Sequence, residues 1–144
     1  MTSLDVADAL AWATGKTPAV LITIKRDGSP QSSDVAFAVI DGAFVVSLTD
    51  GRAKTANMRR DPRVVLHVTV PDAWSYVAFS GEADLSAVAS SPDDAVCDRL
   101  VEYYETVAGG PHPDWAEYRQ AMVDEGRMLM TLRPTRAVGQ RHEA

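Results

Sequence analysis

Two tight turns, Asp27-Gly28 and Asp41-Gly42, constrain this chain more than any other feature. An Asp-Gly pair between apolar runs is a strong hairpin signal, because glycine takes positive φ without steric cost. Strands joined by so few residues must run antiparallel, since a parallel crossover needs a dozen or more. A doubly wound parallel sheet is therefore excluded. Composition supports strands: seventeen Val and three Ile stand against nine Leu. β-Branched side chains are stiff at χ1 and fit a pleated surface better than a helix.

The pattern predicts a mainly β fold with peripheral helices. Ser3 is expected to cap a first helix, with Leu4, Ala7, Leu10 and Ala11 on one face and Gly15 ending it. Strands are expected over 19–25, 31–40 and 43–48, forming a three-stranded meander. A short helix over 53–60 stops at Pro62, and strands follow over 64–70 and 76–85, with Gly81 marking a bulge. Ser91 reads as an N-cap, with Pro92 in the first turn and Val96, Leu100, Tyr104 and Val107 as a helical stripe ending at Gly109-Gly110. Asp114 and Glu117 have capping-box spacing for another helix. A last strand spans 127–138, bent or at an edge because of Pro134. About six mostly antiparallel strands with three or four helices suit a small closed or split β-barrel.

One domain accounts for 144 residues. The chain is 46% hydrophobic and 24% charged, which supports a packed core. The longest apolar run, Val35–Ile40, is far too short to span a bilayer. The N-terminal stretch lacks the basic start of a signal peptide, so a cytoplasmic location is expected. The lone cysteine, Cys97, is expected to be structural.

Several chemistries lack their motifs. There is no Gly-x-Gly-x-x-Gly, no phosphate-binding Gly-Lys-Ser/Thr loop and no Gly-x-Ser-x-Gly elbow. His67, His112 and His142 are far apart, and only His112 with Asp114 resembles even a partial metal pair, so no metal site is expected. No acid/base dyad or nucleophile stands out. Enzymatic chemistry in such a chain would come from a bound cofactor.

The charge distribution points to that cofactor. Residues 52–63 hold five basic residues and one acid, a local +4, leaving −10 for the rest of a chain whose net charge is −6. Nucleic acid and anionic membranes are repelled by such a chain, whereas one local cationic site suits one small anion. Arg52 and Lys54 fall at the start of the short helix, where free backbone N–H groups already favour an anion. An Arg fork and a mobile Lys charge suit phosphate oxygens. Ser47 and Thr49 end the preceding strand and offer hydroxyls. Arg59, Arg60 and Arg63 read as structural or surface charges, and Asn57 lies one turn beyond Lys54 on the same face.

The segment Arg52-Ala-Lys-Thr-Ala-Asn57-Met-Arg-Arg-Asp-Pro-Arg63 resembles the signature of the pyridoxamine 5′-phosphate oxidase-like split-barrel flavoproteins. It is most similar to their actinobacterial branch that uses the deazaflavin coenzyme F420. Ile22-Thr-Ile-Lys-Arg-Asp-Gly-Ser-Pro-Gln31, Asp72-Ala-Trp-Ser-Tyr76 with Gly81-Glu-Ala83, and Asp114-Trp-Ala-Glu-Tyr-Arg-Gln-Ala-Met-Val123 agree in order and spacing. The resemblance implies a six-stranded antiparallel split β-barrel that pairs as a homodimer around a shared cofactor groove. It implies that Arg52 and Lys54 grip the cofactor phosphate and that Ser47 and Asn57 contact the cofactor. It places Gln31 near the ring and Trp74 beside the cofactor, from the partner subunit. No basic substrate-phosphate motif is seen around Gln140-Arg-His-Glu-Ala144, which sets the chain apart from true pyridoxamine phosphate oxidases. The implied activity is hydride transfer from reduced F420 to a small unsaturated or conjugated substrate. FMN in the same site, or a non-catalytic cofactor carrier, are the alternatives.

Overall fold

Both Asp-Gly turns close hairpins in the structure, a computed structural model that describes residues 2–142. β2 (Ala19–Ile24) turns at Asp27-Gly28 into β3 (Pro30–Val35), with Gly28 at φ +87°. β4 (Ala38–Ile40) turns into β5 (Ala43–Thr49) through Asp41 and Gly42, both at positive φ as a type I′ turn requires. The other strands are β1 (Thr2–Leu4), β6 (Arg63–Val70), β7 (Ser75–Leu85), β8 (Arg127–Leu132) and β9 (Arg136–Gln140). Four α-helices accompany them: α1 (Val6–Ala13), α2 (Ala53–Arg60), α3 (Ala95–Ala108) and α4 (Trp115–Asp124).

The main hydrogen-bonded path runs β3-β2-β6-β7-β8-β5-β4 and is antiparallel throughout. Its two ends, β3 and β4, are joined by Ala36 and Phe37 alone. Three peptide steps span at most about 11 Å. The sheet must therefore curl until its edges nearly meet, and the result is a split barrel. The long strand β7 holds the two halves together. Its first part pairs with β6 and β9, and Ala83–Leu85 pair with β8.

This geometry corrects the expected meander. The segment 31–40 is not one strand, because it leaves one half-barrel at Ala36 and joins the other at Ala38. The segment 127–138 is likewise divided, since Arg133–Thr135 lie between β8 and β9 and Pro134 cannot donate to a ladder. The main path thus counts seven strands where six were expected. Ser3 lies in β1, paired with Val138, and Asp5 caps α1 instead. Ser91 is not an N-cap. Asp94 holds that place, its carboxylate accepting the N–H groups of Cys97, Ser90 and Ser91. Gly81 stays in register with Val64, and its reason is close approach, not a bulge. A Cβ there would lie 2.8 Å from Leu132 Cδ1 and 3.1 Å from the Arg133 carbonyl.

Two apolar clusters hold the molecule. One fills the barrel, with Phe44 edge-on to Phe37 and Phe79 at centroid distances of 5.1 and 4.7 Å. α1 contributes Ala9, Leu10 and Ala13 to it, and α2 contributes Met58. The other cluster lies outside β5 and β8, where Val45 and Leu129 meet Cys97, Leu100, Tyr118 and Met122 of α3 and α4. Alternation along β5 explains both: Phe44, Val46 and Leu48 face inward, while Val45 and Ser47 face the helices. Among the described residues, no helix is long and apolar enough to cross a membrane.

Candidate functional site

The basic segment divides into cations with partners and cations without. Arg59 pairs with Asp50, and Arg63 pairs with Asp61. Arg60 donates to the Ile24 carbonyl and to Asn57 Oδ1. Asp61 is consequently held low, at about 2, chiefly by its hydrogen bonds from Arg63. Among the described residues, Arg52 and Lys54 make no side-chain hydrogen bond or ion pair.

Those two sit where an anion is favoured. Arg52 is the N-cap of α2, and no side chain caps the first turn. That leaves backbone N–H groups and the positive end of the dipole without a counter-charge. Lys54 has its pKa lowered, first by burial and then by the charges of Arg52 and Arg127. A bound anion would offset these effects by supplying the missing counter-charge. The helix start is fastened to β5, where Thr55 Oγ1 donates to the Thr49 carbonyl at 2.8 Å. Ser47 stands on the outward face of β5, two residues from Thr49, and is half-buried.

The other end of α2 looks into the barrel. Asn57 is 7% exposed, and its Nδ2 donates to Thr23 Oγ1 at 3.1 Å and to Gln31 Oε1 at 2.7 Å. With Oδ1 accepting from Arg60, the amide of Asn57 is fully engaged within the fold. Asn57 thereby ties α2 to β2 and β3 and holds the Gln31 side chain in place. Gln31 keeps its own NH₂ group, which makes no hydrogen bond among the described residues.

The structure thus gathers Ser47, Arg52 and Lys54 at one end of α2, and Gln31 and Asn57 along its inner side. It does not bring Trp74 to them within one chain. Trp74 follows β6, whose eight residues carry it about 23 Å from the α2 end of that strand. It is 80% exposed and held at φ 51° after the short 3₁₀ turn Pro71–Ala73. Left-handed backbone is uncommon for a bulky residue, so this tryptophan is displayed and not packed.

Two residues near the site escape sequence reasoning. Arg127 pairs with Thr49 across β5 and β8, and Tyr103 of α3 donates to the Ala36 carbonyl at 2.9 Å, beside the split. The Tyr103 pKa is raised by burial, an effect opposed by the Ser47 backbone and by Arg127. His112 Nδ1 accepts the Asp114 N–H at 2.9 Å, and the Asp114 carboxylate caps α4. Among the described residues, no three His, Cys, Asp or Glu side chains group as metal ligands. Cys97 is buried, and burial pushes its thiol up to about 11, so it is a packing residue and not a nucleophile.

Solved structures share this architecture. A conserved hypothetical protein of Mycobacterium tuberculosis, Rv2991, superposes with a TM-score of 0.76 at 22% identity, over 97% of this chain and 86% of its own. An F420 reductase superposes with a TM-score of 0.58 at 24% identity, over 85% of this chain and 90% of its own. A pyridoxamine 5′-phosphate oxidase-related, FMN-binding protein of Nostoc punctiforme superposes with a TM-score of 0.60 at 14% identity, over 94% and 80%. At these identities the likeness is one of fold. The sequence itself carries the closer relation, since the match to the pyridoxamine 5′-phosphate oxidase family spans residues 7–140, both half-barrels and all of α2 included. The chain with the split barrel and the uncapped, cationic α2 belongs to the pyridoxamine 5′-phosphate oxidase family.

Proposed function

We propose that this protein is a cytoplasmic oxidoreductase that uses reduced coenzyme F420 to pass a hydride to a small unsaturated or conjugated organic substrate. The observation that carries this reading is the Arg52–Lys54 pair, unpartnered among the described residues, at the uncapped start of α2. Their donor set fits a phosphate: a planar fork, a mobile ammonium and free backbone N–H groups. Ser47, on the adjoining strand face, adds a hydroxyl. The Gln31 NH₂ group, oriented by Asn57, is available to the polar edge of the ring. The deazaflavin supplies the hydride when bound, and the protein binds, orients and keeps water out. The structural likeness to an F420 reductase supports this choice of cofactor. The likeness to an FMN-binding protein supports a second reading, FMN in the same site.

A homodimer belongs to the proposal. The outward side chains of β2, β6, β7 and β9 include Val20, Ile22, Ile24, Val65, Ala78 and Val138. All are half-buried, and none belongs to either core cluster. A shallow depression of about 360 Å³ opens between Ile22, Ile24, Val65 and Gly81. An apolar sheet face without helices suits a second copy, and the displayed Trp74 then reaches the partner's cofactor.

Fluorescence titration with F420 and with FMN tests the cofactor. Tighter binding of F420 is expected, and tighter binding of FMN would overturn that choice. Reduced F420 mixed with quinones, enones and nitro compounds should be oxidised only in the presence of enzyme. Binding without turnover would assign a carrier. Sedimentation should return a dimer, and a monomer would remove Trp74 from the site.

A further inference from the structure

A third cation lies beside Arg52 and Lys54, and it comes from a distant part of the chain. Arg127 opens β8, and its Cα pairs with that of Thr49, the last residue of β5. Directly paired residues on antiparallel strands point to the same face, so Arg127 shares the face of Thr49 and Ser47. The turn before β8 is also fastened to the turn before α2. The Asp50 N–H donates to the Gly126 carbonyl at 2.9 Å, and Gly126 takes φ +64°. A Cβ at Gly126 would lie 3.8 Å from Asp50 Cβ, so the two turns are in contact.

The guanidinium of Arg127 is weakly committed. Its ionic partner is Glu125, and one carboxylate oxygen, Oε1, accepts from both Nε at 3.2 Å and Nη2 at 3.1 Å. Nη1 makes no hydrogen bond among the described residues. The Arg127 and Glu125 side chains are 31% and 47% exposed. A partly exposed pair of this kind contributes little to folding and is readily exchanged. The charge of Arg127 also reaches the site, since it adds to the lowering of the Lys54 pKa and opposes the burial that raises that of Tyr103. Three like charges are therefore drawn together in a chain whose net charge is −6.

We propose that Arg127 is the third anion-binding cation of this site, held by Glu125 in the absence of ligand and turned toward a cofactor phosphate when one binds. This inference rests on the proposed phosphate site. The phosphodiester of F420 shares a single negative charge between two free oxygens, and the monoester of FMN carries about −1.5 to −2 near pH 7 on three. Lys54 satisfies one oxygen as a point charge, and Arg52 and Arg127 offer forks from two sides. Glu125 would then be released to solvent, its charge replaced by that of the ligand.

The test compares FMN against riboflavin, which differ only in the phosphate, and F420 against its deazariboflavin core, which lacks the phosphodiester and the acidic tail beyond it. Wild-type protein should bind the phosphate-bearing member of each pair more tightly. Arg127→Ala should lower that preference about 10- to 100-fold, the loss expected for one charge-assisted contact. Riboflavin affinity and melting temperature should stay unchanged. Arg127→Lys should restore part of the preference, and Glu125→Gln should raise it, because the competitor for Arg127 is neutralised. If Arg127→Ala keeps the preference while Lys54→Ala loses it, the phosphate site stands and the role of Arg127 falls. Equal losses for riboflavin and FMN in Arg127→Ala would make Arg127 structural and overturn the inference. If Arg127→Ala does not fold, an unchanged preference in Glu125→Gln overturns it instead. A wild-type protein indifferent to the phosphate would remove the site itself.

Discussion

The two ends of α2 carry like charges in unlike settings. At the C-terminal end, Arg59, Arg60 and Arg63 each have an acceptor, and their charge favours the negative end of the dipole. At the N-terminal end, Arg52 and Lys54 oppose the dipole and each other, and among the described residues have no partner. Folding thus explains the first group and leaves the second unexplained. A residue set that disfavours the free protein is expected where a ligand supplies the missing charge. The comparison separates what α2 does for the barrel from what it does for a ligand.

The largest break in that comparison should come from the barrel side. Met58 is 2% exposed in the core, so Met58→Ala should cost about 2–5 kcal/mol of unfolding free energy, read by denaturant titration. Asn57→Ala would leave the fully buried Thr23 hydroxyl and the Gln31 carbonyl short of a donor. It should cost about 1–3 kcal/mol, and it should weaken cofactor binding only through the lost order of Gln31. The ligand side should show the inverse pattern. Arg52→Ala and Lys54→Ala should each lose about 1.5–3 kcal/mol of cofactor affinity with folding retained. Relief of the dipole conflict should even raise stability, by about 0.3–1 kcal/mol.

Acidity sharpens the same contrast. Lys54 has a lowered pKa in the free protein, and a bound phosphate favours its charged form. Affinity should therefore be full below that lowered value and decline as pH rises through it. The decline should vanish in Lys54→Ala. On the acid side, the preference for FMN over riboflavin should fall as pH drops through about 6, where a phosphate monoester gains its second proton, whereas F420, a phosphodiester, should show no such step. The smallest effect belongs to Arg59→Ala, at about 0.2–1 kcal/mol of stability, because its pair with Asp50 is half-exposed. Cofactor affinity should not change in that variant.

Local chemistry made much of this legible before any coordinates. Asp41-Gly42 demanded positive φ at both residues, and Asp114 capped α4 through the Glu117 N–H, while its own N–H went to His112 and not to the Glu117 side chain. The breaks at Ala36-Phe37 and at Arg133–Thr135 were harder to see. A strand that changes half-barrel keeps its β-rich composition, so Val35–Ile40 reads as continuous although barrel closure divides it. Ser3 and Ser91 misled because capping preference is shared among Ser, Asp and Asn, and nearby aspartates held the better geometry. At the site, the charge excess of residues 52–63 was visible, but which arginines find partners depends on Asp50, Ile24 and Asp61. Arg127 had no sequence signal at all. Only the register of β5 against β8 sets it beside Thr49.

The central claim is that Arg52 and Lys54 form a phosphate site, and its most direct test is the affinity ratio between F420 and its phosphate-free core. Wild-type protein should favour F420 strongly, and Arg52→Ala combined with Lys54→Ala should erase that preference without unfolding the barrel. A double variant that still favours F420 to the wild-type extent would contradict the account.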